Sequence, residues 1–355
     1  MDELQVIDDL RGRYGPVFRR RPGVLYVGDP AAAKAVLANA ESRYREHSDF
    51  FYTSKGIFGP RHAQQEIGRA ARNLLRDHWA RSAVVALDPV SRWPDAGNLL
   101  LYKCFRDALV SRGDLRHLVD QVLRHAVLAG ARERRSPLSR AVLRTRVRRA
   151  LVTELIRRQG HGEPEDLLDV LAATGPADSS HRAWVQLSEV FLSCVFAVAG
   201  SMGFLLGWSV YLLGTTPDAD ADPGSVVREA SRLWPVAWNF GRCPVRPHEL
   251  GDVPVTVHDE VVVCSYLVHR DDRYWPDPDT FRPQRWVDGM TGAEAFIPFG
   301  WGPHTCVAAG FAIQVVEDIL RRLPPGWHVE PHEHRPQVAA ALAPPSFTLR
   351  LPDGR

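Results

Sequence analysis

The sequence predicts a mainly α-helical fold with small β portions, organised as a single domain over residues 1–355. Three observations carry this. The stretch from Val190 to Pro217, VFLSCVFAVAGSMGFLLGWSVYLLGTTP, holds no charged residue, the pattern of a helix buried all round. Residues 66–87, EIGRAARNLLRDHWARSAVVAL, and the basic run 132–158 repeat apolar side chains at helical spacing. Strand-like patterning is confined to short flanking pieces, one ending at Val27 and one within DVPVTVHDEVVVCSYLV.

In chain order, RYGPVFRRRPGVLYVGDPAAAKAVLANA reads as an extended piece to Val27, a Gly-Asp-Pro turn with Asp29 as N-cap, then a helix from Pro30. The helix at 66–87 is amphipathic and carries Arg69, Arg72 and Arg76 on neighbouring turns. The basic run reads as a solvated helix face. PEDLLDVLAATG and the uncharged stretch continue the helical series. An acidic, proline-containing turn then leads into a short helix, VVREASRLWP, closed by Pro235. DVPVTVHDEVVVCSYLV alternates around an acidic turn. HRDDRYWPDPDTFRPQRW is a long irregular segment that side-chain hydrogen bonds, rather than ladders, must hold.

With 44 basic and 42 acidic residues the net charge is +2, which gives no bulk attraction to nucleic acid or an anionic membrane. Five cysteines without paired spacing fit a reducing compartment, and MDELQVIDDLRGRYG lacks the basic start and apolar run of a signal peptide. The expectation is a cytoplasmic protein. The uncharged stretch is long enough to cross a hydrocarbon core of ~30 Å. Its nearest charges are Glu189 and Asp218, with no Lys or Arg to anchor either end, so a buried central helix and no membrane are expected.

The densest chemistry lies in FIPFGWGPHTCVAAGFA, residues 296–312, where Cys306 sits between a glycine-rich bend and a helix start. Backbone amides there can stabilise a thiolate that a metal could share. A buried structural cysteine is the plain alternative. A phosphate loop is the other: Gly300 and Gly302 begin a GxGxxG, but Thr305 takes the third glycine position and no Lys-Ser/Thr pair follows.

FGWGPHTCVAAGFA resembles the haem-binding loop of the cytochrome P450 family: Phe299, Gly302, His304, Cys306 and Ala312 match its pattern, while Ala308 replaces the usual glycine. The resemblance implies that fold, with a long central helix over haem b, and makes Cys306 the axial thiolate of the haem iron. It puts Phe299 beside the sulfur, His304 on a propionate, and Gly300, Ala308 and Ala312 against the cofactor. EASR resembles the family's ExxR and FRPQRW its next element, so Glu229, Arg232 and Arg285 are implied to form a buried ion network. FGRCPV implies that Arg242 binds a propionate. The matches run in order from about Arg13 to the C-terminus.

The sequence departs from the family in three places. Where the family usually has an Ala/Gly-Gly-x-Asp/Glu-Thr pattern that relays protons to dioxygen, this chain has Ala199, Gly200, Ser201, Met202 and Gly203. Ser201 or Ser209 holding water, a substrate hydroxyl, or peroxide as oxidant would each be a workable replacement. On the early arginine-rich helix Arg72 fits a propionate-binding position, but Gly68 stands where an aromatic is usual, leaving His62 as a substitute. The chain is also short for the family, which suits an open pocket for a bulky or carrier-tethered substrate.

The resulting expectation is a haem-thiolate, monooxygenase-type oxidoreductase acting on an organic small molecule in bacterial specialised metabolism. The alternative is a haem-thiolate enzyme of non-oxygenating or peroxide-driven chemistry. Substrate contacts are expected at Ala199–Gly203 and in HSDFFYTSKGIFG, residues 47–59. A ferredoxin-type partner is expected against Arg61, Arg69, Arg72 and Arg76, and the protein is expected to be a monomer.

Overall fold

The computed structural model describes all residues except 1–2, 46–49, 83–85, 129–136, 161, 175–179, 217–220, 288–291 and 353–355. Parts of the segments read above, among them 47–49, 83–85, 132–136, 175 and 217–220, therefore lie outside the described residues. Helices dominate, and the chain packs into two compact units.

The first unit gathers residues 1–47, 205–306 and 331–345 around a four-stranded sheet. Val17–Arg21 and Val24–Val27 form an antiparallel hairpin across Gly23, whose φ of 76° suits a glycine, so the N-terminal extended piece is two strands. Val24–Val27 then pairs in parallel with Glu260–Cys264, aligning Tyr26 with Val262, and Asn239–Arg242 closes the other edge. VLYV and EVVVC supply the β-branched and aromatic side chains such a sheet packs. DVPVTVHDEVVVCSYLV is not one hairpin: Val253–Val255 pairs back onto His248–Leu250, and SYLV closes as a helical turn. Helix Pro30–Ala38 starts as its sequence predicts, the Asp29 carboxylate accepting from the Ala32 amide at 2.8 Å. Leu25, Val27, Val36, Leu37, Val261, Val263 and Ile297 form its core with Trp275.

The second unit comprises residues 48–204, 307–330 and 346–355. Its helix Arg61–Arg81 begins and ends earlier than the pattern 66–87 suggests. Ile67, Ala71, Leu75 and Trp79 recur every fourth residue along its buried face, and the Trp79 indole donates to Asp318 at 2.9 Å. Helices Asp95–Leu109, Gly113–Ala126 and Pro137–Arg157 follow, with strands Val90–Trp93 and Phe347–Arg350 paired antiparallel. Arg158 joins Glu154 and Asp166 in a buried cluster that holds the Glu154 carboxyl down at about 2, chiefly through hydrogen bonds from Arg157 and Arg158.

The uncharged stretch is one continuous helix, His181–Thr215, which passes from the second unit into the first. It is long and apolar enough to cross a membrane, yet 67% of its most apolar window is buried within the protein, as in a core helix. Its hydrogen bonding widens to π geometry over Ala197–Met202.

Candidate haem-thiolate site

In the first unit, Cys306 lies at the end of a tight bend and its side chain is exposed. Its amide donates to the Phe299 carbonyl at 2.9 Å, closing the bend, so that amide is not free to serve the sulfur. Gly300 and Gly302 adopt φ of 77° and 70°, which only glycine takes at little cost. A Cβ on Gly302 would also come within 3.0 Å of the Ala38 Cα. His304 is half-buried in a short 3₁₀ turn, Gly302–His304. Trp301 lies under the Lys34 ammonium, 3.9 Å from the ring centre. The Arg242 side chain is buried, with one guanidinium nitrogen 2.8 Å from the Gly241 carbonyl.

Behind this bend Glu229, Arg232 and Arg285 are fully buried together. Arg232 grips both Glu229 oxygens, at 2.8 and 3.0 Å, and reaches the carbonyls of His269, Pro278 and Thr280. Arg285 gives Glu229 a single Nε contact at 2.9 Å and spends its remaining donors on the Pro276, Asp277 and Thr280 carbonyls. The carboxylate also accepts from the Trp286 indole and the Arg282 amide. A charge withdrawn from water needs this degree of satisfaction. The irregular segment is thus held by guanidinium–carbonyl bonds in place of a ladder. Burial pushes the Arg285 guanidinium's pKa down, with Glu229 opposing.

Sequence reading gave no role to His269, which is fully buried in the same unit. Its Nε2 accepts from the Ile297 amide at 2.9 Å, which leaves Nδ1 to donate to the Arg232 carbonyl at 2.9 Å. The ring therefore ties the end of the Glu229 helix to the start of the cysteine bend, and only its neutral form can do so. Burial, and next the Arg232 charge, hold its pKa well below the ordinary value of 6.5. In that window the unfolded chain binds a proton that the folded chain refuses, so stability rises with pH up to about 6.5 and falls as pH drops below it. Replacing His269 with glutamine should flatten this acid slope, measured as Tm against pH between 7 and 5.

In the second unit, Ala199, Gly200, Ser201 and Met202 lie within the π turn and Gly203 directly follows it. Ser201 alone of these is exposed. Ser209, in the first unit, is fully buried and donates its hydroxyl proton to the Leu205 carbonyl at 2.8 Å, which removes it as a proton donor. The turn Tyr52–Ile57 is tied to the central helix: Glu189 accepts from the Ser54 amide and hydroxyl, and Arg182 and Gln186 donate to the Lys55 and Gly56 carbonyls. Phe51 is buried and Tyr52 exposed.

Also in the second unit, Val307, the residue after Cys306, covers Gly68: a Cβ there would lie 2.9 Å from a Val307 methyl. No aromatic fits at position 68 without moving Val307, which accounts for the glycine. Arg72 donates to the Val307 carbonyl at 3.3 Å. Gly68→Trp should therefore displace Val307 and lower Tm by several degrees. Ala308 caps helix Ala309–Leu320, its carbonyl accepting from the Ala312 amide at 2.8 Å. Arg61, Arg69 and Arg76 are exposed and His62 is exposed beside them.

Residues 224–339 match the family model described as Cytochrome P450. Cytochrome P450 4V2 of Mus musculus is 27% identical over 203 residues, 49% of this chain and 39% of that protein. Cyclooctatin synthase of Streptomyces melanosporofaciens is 26% identical over 220 residues, 52% of this chain and 47% of its own. The chain thus spans less than half the length of these curated relatives. Two solved structures share the fold over nearly the whole chain. A mutant of P450 EryK in complex with erythromycin B has TM-score 0.69 at 20% identity, covering 99% of this chain and 97% of that one. The P450DA heme domain has TM-score 0.72 at 16% identity, covering 100% and 94%. Residues 224–339 thus carry the sequence pattern of the cytochrome P450 family, and nearly the whole chain shares the fold of solved P450 structures.

Proposed function

We propose that this chain is a haem-thiolate oxidoreductase of the monooxygenase type, with Cys306 as the sulfur ligand of haem b. The observation that carries this reading is the exposed Cys306 on a bend fixed from behind by the buried Glu229–Arg232–Arg285 cluster and the His269 bridge. The donor set suits haem: a soft thiolate for iron, the Arg242 guanidinium and His304 imidazole for propionates, and backbone at Gly300 and Gly302 with no side chain to obstruct a flat ring. Arg72 is a further propionate candidate. When bound, the haem supplies the redox chemistry, its thiolate ligand pushing electron density to favour O–O cleavage.

The chain's own residues then bind and orient an organic substrate and manage protons. Ala199–Gly203 and the Tyr52–Ile57 turn are the proposed substrate-side elements. Met202 and Gly203 cannot pass protons, so Ser201 is the residue proposed to hold the water that does. Electrons come from an acidic ferredoxin attracted by Arg61, Arg69 and Arg76. Two relatives, one solved in complex with erythromycin B and one a cyclooctatin synthase, support a substrate in bacterial specialised metabolism. We further take that substrate as small or carrier-tethered and the enzyme as a cytoplasmic monomer.

The missing acid–alcohol pair favours one second reading, a peroxide-driven or non-oxygenating haem-thiolate enzyme. Product analysis under labelled dioxygen with reductant separates the two. Oxygen label in the product supports the first reading, and turnover without reductant or dioxygen overturns it in favour of the second.

A further inference from the structure

A helix that widens to π geometry breaks its i→i−4 ladder locally, and buried carbonyls at the break need donors from elsewhere. In the central helix that donor comes from Asn98 of helix Asp95–Leu109. The Asn98 side chain is fully buried, and its Nδ2 lies 2.6 Å from the Ala199 carbonyl and 3.3 Å from that of Gly200. It reaches them because position 203 has no side chain. A Cβ on Gly203 would stand 2.4 Å from Asn98 Nδ2 and 2.8 Å from Asn98 Cα. The two residues are therefore complementary, the glycine making room for the amide and the amide capping the widened turn.

The other end of the amide shows that packing alone does not explain an asparagine here. Asn98 Oδ1 is buried and has no hydrogen-bond partner among the described residues. An apolar side chain of the same shape would avoid that cost. What leucine could not supply is the donor pair. One additional residue in a turn rotates the rest of a helix by about 100°. In this register Ser201 is exposed while Ala199, Gly200, Met202 and Gly203 are buried.

We propose that Asn98 is a positioning residue: by capping the Ala199 and Gly200 carbonyls against Gly203 it fixes the register of the central helix and thereby presents Ser201 on the substrate side. The assignment of that side rests on the function proposed above.

The test uses the haem-loaded full chain with imidazole as a probe ligand titrated by absorbance, together with amide hydrogen exchange across residues 199–204. Asn98→Leu should change the imidazole dissociation constant at least tenfold and speed exchange in that window. Gly203→Ala should do the same, and part of its effect should be lost in the Asn98→Ala background, which removes the 2.4 Å clash with Nδ2 but keeps the 2.8 Å approach to the Cα of residue 98. The proposal is overturned if Asn98→Leu leaves both readouts as in the wild type, or if Gly203→Ala acts equally with and without Asn98. Should Asn98→Leu fail to fold, Asn98→Ser, which retains one donor, decides on the same readouts: intermediate exchange supports the lock and wild-type exchange overturns it. A wild-type chain that takes up no haem would refute the functional reading, whereas the exchange comparison would still decide the role of Asn98.

Discussion

Glu229→Ala should cost about 3–5 kcal/mol, because it leaves two guanidiniums buried without their carboxylate. Arg232 and Arg285 are each fully buried, so neither can turn to water when Glu229 is gone. The same change strips acceptors from the Trp286 indole and the Arg282 amide. Against a native stability of about 5–15 kcal/mol, the loss is large enough to lower the soluble yield as well as Tm. Glu229→Gln keeps the shape and one acceptor oxygen but offers an NH₂ to a guanidinium, and should recover only a minor part. Chemical denaturation of the three proteins checks the order, wild type above Gln above Ala; equal midpoints would show that the cluster is not what holds the irregular segment.

Cys306→Ser should have the opposite profile. The side chain is exposed and the loop is closed by the Cys306 amide, which serine retains, so the fold of the haem-free protein should change by no more than about 0.5 kcal/mol. Function should be lost entirely, because an alcohol is a far poorer donor to iron than a thiolate and cannot push electron density in the same way. A thermal melt of the haem-free variant, set beside its turnover when reconstituted, checks both halves of the statement. Destabilisation by several kcal/mol would mean that Cys306 is a packing residue after all.

These two residues were also the easiest to read from the sequence. ExxR, the later Arg285 and the cysteine bend are defined by side-chain chemistry at set spacings, and the Asp29-capped helix and the buried central helix follow from local signals. What escaped reading has no such signature. His269 acts through a neutral tautomer that bridges two backbone groups distant in sequence, a contact no neighbouring residue announces. The π turn lies in a stretch so uniformly apolar that its periodicity has no phase to read, and Asn98 lies about a hundred residues away from the carbonyls it caps. Val253–Val255 and Glu260–Cys264 alternate like the arms of one hairpin, but the second is drawn to Val24–Val27 because a central strand buries more of its valines. Gly68 stands where the family usually has an aromatic, and the structure covers it with Val307, whose methyl a Cβ there would approach to 2.9 Å.

The account's central claim is that the sulfur of Cys306 binds haem iron. Its most direct test is the absorption spectrum of the haem-loaded, reduced wild-type chain under carbon monoxide. A strongly red-shifted Soret band is the predicted result, since thiolate ligation alone moves it that far; a band at the position typical of histidine-ligated haem, or no uptake of haem, would contradict it.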